Sequence, residues 1–409
     1  MKISRHITRL FIFSVFVTVF VSSCRKDTPP AYKYFISGEP AISYSEADVG
    51  RMLDLAAGIF PEIGEIKPYV ASGIDVYKMV YLTEAGGKVI EASGLVCTPS
   101  VKGSYPVLSF QNGTNTRHSD APTRKVTDVS YTLVEIMASL GFIVVLPDYP
   151  GFGSSSQIPH PYLITEPTVR SVTDMYRALN EAAGVEFPGV RAENEYYLAG
   201  YSQGGWATLA LHKALETTYS AEFRLAGSVC GAGPYNIFNI FKGMTDAVTY
   251  PMPAYPAYII NAYSAYKEFS VPVSKILNEP YASLLGSLFN GTYSTGEINS
   301  RLTTSIPGLF RPELLSGLAS SPYYSEIKDA LLRNSIRGWK TLRPLMLAHG
   351  SGDTSVPVES TEDMYSEMID SGTLPGICRK SVYSGLEHDE GLIPSMMEGL
   401  LFLIDIRDN

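Results

Sequence analysis

The chain has 409 residues, of which 45% are hydrophobic and 18% charged, a balance that excludes intrinsic disorder and is ample for a large buried core. Its formal net charge of −9 comes without a basic stripe able to neutralise phosphates, which argues against nucleic acid as a partner. The length exceeds an ordinary single domain, but one sheet carrying an insertion accounts for it.

At the N-terminus, Lys2, Arg5 and Arg9 precede an apolar run from Leu10 to Val21 that meets small residues and Cys24, the layout of an export signal. The run is too short to cross roughly 30 Å of hydrocarbon comfortably, and no later apolar segment reaches about 20 residues, so a multi-spanning protein is excluded. V-S-S-C resembles a bacterial lipobox, which implies that Cys24 receives acyl chains and becomes the first mature residue. An ordinary cleaved signal with an incidental cysteine is the alternative. The polar, proline-bearing R-K-D-T-P-P that follows cannot pack and suits a tether. The expected organisation is therefore a signal peptide over 1–23, a tether over 24–42 and one catalytic domain over 43–409, exported and lipid-anchored to a bacterial cell membrane, periplasmic or surface-exposed. Cys97, Cys230 and Cys378 are an odd set that cannot be fully paired, and each sits in or beside an apolar strand-like segment, as buried thiols do.

Residues 43–57 carry a cap-like serine and apolar spacing at Val49, Leu53 and Ala56, which predicts a covering helix ahead of the core. From Gly73 to Thr98 two alternating, β-branched segments flank A-G-G, a hairpin signal. Short apolar runs then alternate with helical patterns: P-V-L-S-F, a helix near 129–140, F-I-V-V-L-P, a helix near 169–183, E-Y-Y-L-A-G, a helix over 204–215, and L-A-G-S-V-C-G-A-G. Strands this apolar are buried on both faces, so the fold class is α/β, a mostly parallel sheet flanked by helices. The alternation resumes only at P-L-M-L-A-H-G near Leu345. The intervening 235–340, rich in Tyr, Phe, Leu, Pro and Asn, predicts a helical cap inserted between strands 6 and 7.

The chemistry centres on G-Y-S-Q-G, residues 200–204, which matches the G-x-S-x-G nucleophile elbow and falls between an apolar strand and a helix, where such an elbow belongs. The glycines let the chain pass close to its neighbours at the strained serine, and Gly205 and Ala207 extend that small-residue surface. A serine hydroxyl becomes a useful nucleophile only when an imidazole takes its proton and a carboxylate orients that imidazole. In this chain order the acid and then the histidine follow the serine, which leaves His212, His349 and His388 of the six histidines. His212 falls inside the helix after the elbow. His349 ends a strand and is followed by S-G-D-T-S-V-P, which offers Asp353 as the acid; Glu359, Asp363 and Asp389 are its rivals. His388, in the polar loop S-G-L-E-H-D-E-G, is the expected base. Backbone donors for an oxyanion are expected at Gln203, directly after the serine, and in the loop carrying Asn112, Gly113 and Thr114. No zinc-spaced cysteine and histidine cluster, H-E-x-x-H, P-loop or dinucleotide glycine pattern is present, so no metal or other cofactor is expected.

With these residues in place, the chain from about Gly73 to Ile406 resembles the α/β-hydrolase superfamily, and within it the secretory-lipase-like esterases of bacteria and fungi. The narrower resemblance rests on P-D-Y-P-G-F-G-S-S from Pro147, on H-P-Y at 160–162 with its following helix, and on G-Y-S-Q-G-G-W-A-T around Ser202. Where such relatives often read H-G-T after the third strand, this chain has N-G-T with Asn112, so the backbone donor carries over and the histidine does not. The resemblance implies the α/β-hydrolase fold and hydrolysis of carboxylic esters through an acyl-enzyme on Ser202, with His388 and Asp353. The aromatic insert would wall the acyl or alcohol pocket, and the substrate would be a small-molecule, lipid or glycan ester. A peptidase or acyltransferase on the same fold, and a non-catalytic binding lipoprotein, are the competing readings.

Overall fold

The computed structural model describes residues 32–409. Cys24, the expected signal peptide and the first part of the expected tether lie outside the described residues. Nine strands form one sheet: β1 Phe35–Tyr44, β2 Ile74–Ala85, β3 Lys88–Pro99, β4 Gly103–Gln111, β5 Ile143–Pro147, β6 Val190–Tyr201, β7 Leu225–Gly231, β8 Leu345–Gly350 and β9 Cys378–Tyr383. Their order is β1-β2-β3-β5-β4-β6-β7-β8-β9. The β1–β2, β2–β3 and β3–β5 pairs are antiparallel and every other pair is parallel.

The first hairpin closes through Gly86 and Gly87, both at positive φ, with Ala85 paired to Lys88. That two-residue turn needs φ > 0 at both centres, the conformation glycine adopts without steric cost. The sheet is covered on both sides. Alternate residues of one strand enter different cores, Ile143 and Val145 one and Val144 and Leu146 the other, which is why β5 reads as an unbroken apolar run.

Helices α1 Glu46–Ala57, α2 Val129–Glu135, α3 Thr165–Ala182 and α4 Gln203–Glu216 precede β7. Ser45 and Asp48 form a reciprocal capping box at the start of α1, satisfying two orphan donors at that helix end. Between β7 and β8 come α5 Ile237–Asp246, α6 Ala254–Ala265, α7 Tyr281–Leu288, α8 Thr295–Asn299, α9 Ile306–Leu309, α10 Pro312–Gly317 and α11 Ser325–Asn334. This is the helical insert expected over 235–340. Helix α12 Glu359–Asp370 follows β8, and α13 Leu392–Asp408 ends the chain. The buried residues of α3, α4 and the insert fill one core, and those of α1, α2 and α13 fill the other.

The sequence expectation fails at one element. Residues expected to finish the tether form β1, the edge strand, so the insert that sequence order put between strands 6 and 7 lies between the seventh and eighth. β1 is mostly exposed, with the burial of a single covered face, and holds Gly38 and Pro40. An edge strand accepts a proline because one of its sides makes no ladder bonds. Cys97, Cys230 and Cys378 are all buried and unpaired. Among the described residues no helix is long and apolar enough to cross a membrane.

Candidate active site

Ser202 joins the end of β6 to the start of α4 with φ 60° and ψ −122°, a backbone conformation that costs of order 1–3 kcal/mol for a residue with a side chain. The glycines around it are dictated by contact. A Cβ on Gly204 would lie 1.9 Å from the Gln111 carbonyl oxygen, and one on Gly200 2.4 Å from that of Gly204. The expected extension at Gly205 has the same cause, since a Cβ there would meet the Gly231 oxygen at 2.2 Å. The elbow is thus locked between β4 and β7, and the Ser202 amide donates to Gly231 O at 2.9 Å.

The three side chains singled out from chain order come together. Ser202 Oγ stands 2.9 Å from His388 Nε2, and His388 Nδ1 stands 2.5 Å from Asp353 Oδ2. Since a carboxylate only accepts, Nδ1 carries the proton and Nε2 is left to accept from the serine hydroxyl. Asp353 Oδ1 accepts the amides of Ser355 and Val356, each at 2.8 Å. Burial by itself would raise the Asp353 carboxyl, but hydrogen bonds from His349 and His388 outweigh it and hold the group well below the usual carboxylate range. Of the rivals, Glu359 and Asp363 sit on α12 and line a different cavity; Asp389 lines the Ser202 cavity, but both ring nitrogens of His388 are engaged by Asp353 and Ser202.

Asn112, Gly113 and Thr114 line one cavity with Ser202 and His388. A Cβ on Gly113 would find only the Tyr201 oxygen, at 3.7 Å, an ordinary contact, so the open space at this residue faces the cavity and no protein neighbour demands a glycine. Gln203 is the first residue of α4, and its amide has no intrahelical acceptor. Its side chain is buried and turns to His160, with Gln203 Nε2 2.8 Å from His160 Nε2. His160 Nδ1 is 2.8 Å from the Pro150 carbonyl, so Nδ1 donates there and Nε2 accepts from Gln203. Burial pushes the His160 ring down to about 4, which preserves that neutral tautomer.

Sequence reasoning noted H-P-Y only as a resemblance, and the structure gives it a physical role. His160 orients the Gln203 side chain, while the Tyr162 hydroxyl lies 3.1 Å from Thr114 Oγ1, so one short loop touches both expected oxyanion elements. P-D-Y-P-G-F-G is a structural device: buried Asp148 accepts from Ser93 Oγ and Thr123 Oγ1, both at 2.5 Å, and from the Thr123 amide at 2.9 Å. Two residues went unremarked as supports. The Tyr201 hydroxyl donates to the His388 carbonyl at 2.7 Å, and His349 Nε2 lies 3.1 Å from Asp353 Oδ2.

The cavity at Ser202 encloses about 700 Å³, within the range of small-molecule sites. The expected aromatic wall from the insert is not what builds it. From 235–340 only Tyr255 lines it; beside Tyr201, Ser202, His388 and Asp389, the rest comes from the N-terminal segment, β4, the loop after it, α2 with the residues that follow it, and α13. The buried aromatics of the insert belong instead to the core shared with α3 and α4, and the insert meets the loop after β4 where Tyr258 Oη donates to the Asn115 carbonyl and Thr116 Oγ1 to the Tyr293 carbonyl. Among the described residues no three His, Cys, Asp or Glu side chains converge in a way that could hold a metal ion.

Residues 116–377 match the family model described as secretory lipase. The chain is 20% identical over 393 residues to Lipase 10 of Candida albicans, covering 89% of this chain and 78% of that protein. Among solved structures, a putative hydrolase from Legionella pneumophila superposes with a TM-score of 0.80 at 23% identity, over 91% of this chain and 98% of that one. The rice cell wall degrading esterase LipA from Xanthomonas oryzae gives 0.77 at 23% identity, over 93% and 98%. Lipase A of Candida antarctica in its closed state gives 0.66 at 17% identity, over 91% and 83%. The fold is that of the α/β hydrolases.

Proposed function

The chain belongs to the secretory lipase family and is a carboxylic ester hydrolase, and we propose that it works as a serine esterase with Ser202 as nucleophile, His388 as general base and Asp353 as the orienting acid. The observation that carries this reading is the unbroken chain of hydrogen bonds from Ser202 Oγ through His388 to Asp353 Oδ2.

In the proposed cycle Ser202 Oγ attacks the ester carbonyl as His388 Nε2 takes its proton. His388 then delivers that proton to the departing alkoxide, and the alcohol leaves a Ser202 acyl ester. Water, deprotonated by the same imidazole, hydrolyses the acyl-enzyme and restores the serine. The oxyanion would be held by the amide of Gln203 and by an amide of the Asn112–Thr114 loop, donors that each contribute about 3–4 kcal/mol in sites of this kind. Asp353, kept ionised by its four hydrogen-bond donors, holds the imidazole in the productive tautomer and stabilises the imidazolium.

Fluorophosphonate labelling of the protein beginning after Cys24, with the adduct located by peptide mass, tests the assignment. Labelling at Ser202 that disappears in Ser202→Ala, together with loss of p-nitrophenyl ester turnover, is the expected result. Undiminished turnover in that variant removes Ser202 from the mechanism.

As a member of a secretory family the chain is exported. The finer reading, a lipid anchor at Cys24 that tethers the enzyme to a bacterial cell membrane, is supported by the charged start, the apolar run and V-S-S-C. Metabolic labelling with palmitate should mark the wild type and not Cys24→Ala; equal labelling would remove the anchor.

A further inference from the structure

The insert supplies a single residue to the cavity wall but grips the loop that carries the expected oxyanion donors. Residues 112–116 belong to no helix or strand, and the amides of Gly113 and Thr114 find no acceptor among the described residues. No ladder bond of the sheet therefore fixes where those amides point. The insert pins the loop instead. Tyr258 Oη of α6 donates to the Asn115 carbonyl at 3.3 Å, and Thr116 Oγ1 donates to the Tyr293 carbonyl at 2.9 Å. The His118 amide donates to the Gly291 carbonyl at 2.8 Å. A Cβ on Gly291 would fall 2.1 Å from His118 Nε2, so a glycine is what lets the two segments meet.

Tyr258 is itself the middle ring of a stack of three. Tyr162, from the loop after β5, lies 4.4 Å from it at 9°, and Phe289, which follows α7, lies 4.5 Å from it at 12°. All three rings are buried. Near-parallel stacking fixes the plane of each ring and hence the place of its hydroxyl. The two hydroxyls of the stack reach consecutive residues, Tyr162 Oη standing 3.1 Å from Thr114 Oγ1 and Tyr258 Oη 3.3 Å from the Asn115 carbonyl oxygen. Resting on the serine esterase reading, we propose that Tyr162 and Tyr258 are positioning residues that hold the second oxyanion donor on target, with Phe289 bracing their rings. Stabilisation of transition-state charge at Ser202 thus depends on an insert that barely enters the cavity. A preorganised donor is effective only when held to within about 0.5 Å of its productive place. A loop without ladder bonds meets that tolerance through contacts of this kind.

The test is Tyr162→Phe, Tyr258→Phe and the double variant, each of which removes hydroxyls and keeps the stack, assayed on p-nitrophenyl butyrate. Acylation and deacylation both pass through an oxyanion, so both should slow together, which lowers kcat and leaves KM near the wild-type value. The expected loss of kcat is severalfold in each single variant and about tenfold or more in the double, below the roughly 10²–10³ that removal of a whole donor costs. Binding of an alkylboronic acid, whose tetrahedral adduct on Ser202 bears the negative charge, should weaken by a similar factor. Tyr324→Phe is the control, since it too removes a hydroxyl from a buried ring of the insert, but one that donates to the Lys275 carbonyl at 3.0 Å and not to the loop. It should lower the urea midpoint to a comparable extent and leave kcat and boronate binding unchanged. An equal loss of kcat in Tyr324→Phe, or undiminished kcat in the double variant, overturns the positioning role alone. A folded wild type with neither fluorophosphonate labelling nor ester turnover overturns the serine esterase reading, and the positioning role with it.

Discussion

His349 and His388 hold the same oxygen of Asp353. His388 Nδ1 approaches Oδ2 at 2.5 Å and His349 Nε2 at 3.1 Å. His349 Nε2 also lies 2.8 Å from the Val356 carbonyl, and its Nδ1 lies 2.8 Å from Thr361 Oγ1. Both partners of Nε2 are pure acceptors, so Nε2 bears the proton and the threonine hydroxyl donates to Nδ1. His349 is therefore a positioning residue that acts on the reaction through Asp353. In His349→Phe the lost buried hydrogen bond, worth about 1–3 kcal/mol, should lower kcat/KM by about tenfold or more. Relieved of one donor, Asp353 stabilises the imidazolium of His388 better, so the acid limb of the kcat/KM profile should move to higher pH. A limb that stays in place while stability alone falls would reduce His349 to a packing role.

The same pair sets acid stability. Because the folded-state Asp353 carboxyl is depressed, its contribution is complete above the unfolded value of about 3.9 and disappears only as pH falls through the lower folded value. In His349→Phe the folded value rises toward the unfolded one. The pH midpoint of acid unfolding, followed by circular dichroism, should therefore move upward.

Ser202→Gly separates strain from catalysis. The residue stands at φ 60° and ψ −122°, where glycine is at ease and serine is not, and relief of even part of the strain should stabilise the fold by about 1 kcal/mol. The expected outcome is a protein without esterase turnover whose denaturation midpoint in urea lies above that of the wild type. A midpoint below the wild type would mean that the Ser202–His388 hydrogen bond outweighs the strain.

Much of this was legible before the fold was known because the signals were local. A strand buried on both faces must be apolar throughout, an elbow needs small residues on both sides of its nucleophile, and chain order left few histidines eligible. β1 escaped because an exposed edge strand with Gly38 and Pro40 has neither the apolar content nor the composition of a strand. The cavity wall was misassigned because aromatic content does not distinguish core from pocket lining; the insert uses most of its tyrosines and phenylalanines as core. Tyr201 and His349 were missed for a different reason. Tyr201 meets the His388 carbonyl across 187 positions, an approach that no pattern in a single sequence encodes; His349 stands four positions before Asp353, but that spacing does not show the loop turning the carboxylate back onto the ring.

Two glycine-to-alanine substitutions should have opposite signs. At Gly204 the new Cβ would stand 1.9 Å from the Gln111 oxygen, so β4 and α4 must part, at a cost of about 2 kcal/mol or more and with loss of turnover. At Gly243, inside α5, nothing lies within 4 Å, and alanine should stabilise that helix by about 0.5–1 kcal/mol. Urea unfolding of both variants checks the pair, and a destabilised Gly243→Ala would contradict the open surroundings of that residue.

Glu135 ends α2 between Val134 and Ile136, which line the Ser202 cavity, and is fully buried with both carboxylate oxygens unpartnered among the described residues. Burial pushes its carboxyl up to about 8, because nothing nearby repays the loss of hydration of the charged form. The unfolded chain releases this proton near pH 4.3, whereas the folded chain keeps it to about pH 8. Between those values the native state binds more protons than the unfolded one, so this group lowers stability progressively as pH rises. Glu135→Gln preserves the shape of the neutral acid and removes the titration. Its melting temperature relative to wild type should therefore climb from pH 4 to pH 8 and level off above. A difference that is constant across that interval would show that Glu135 is ionised in the folded protein and that the α2 wall of the Ser202 cavity admits water to it.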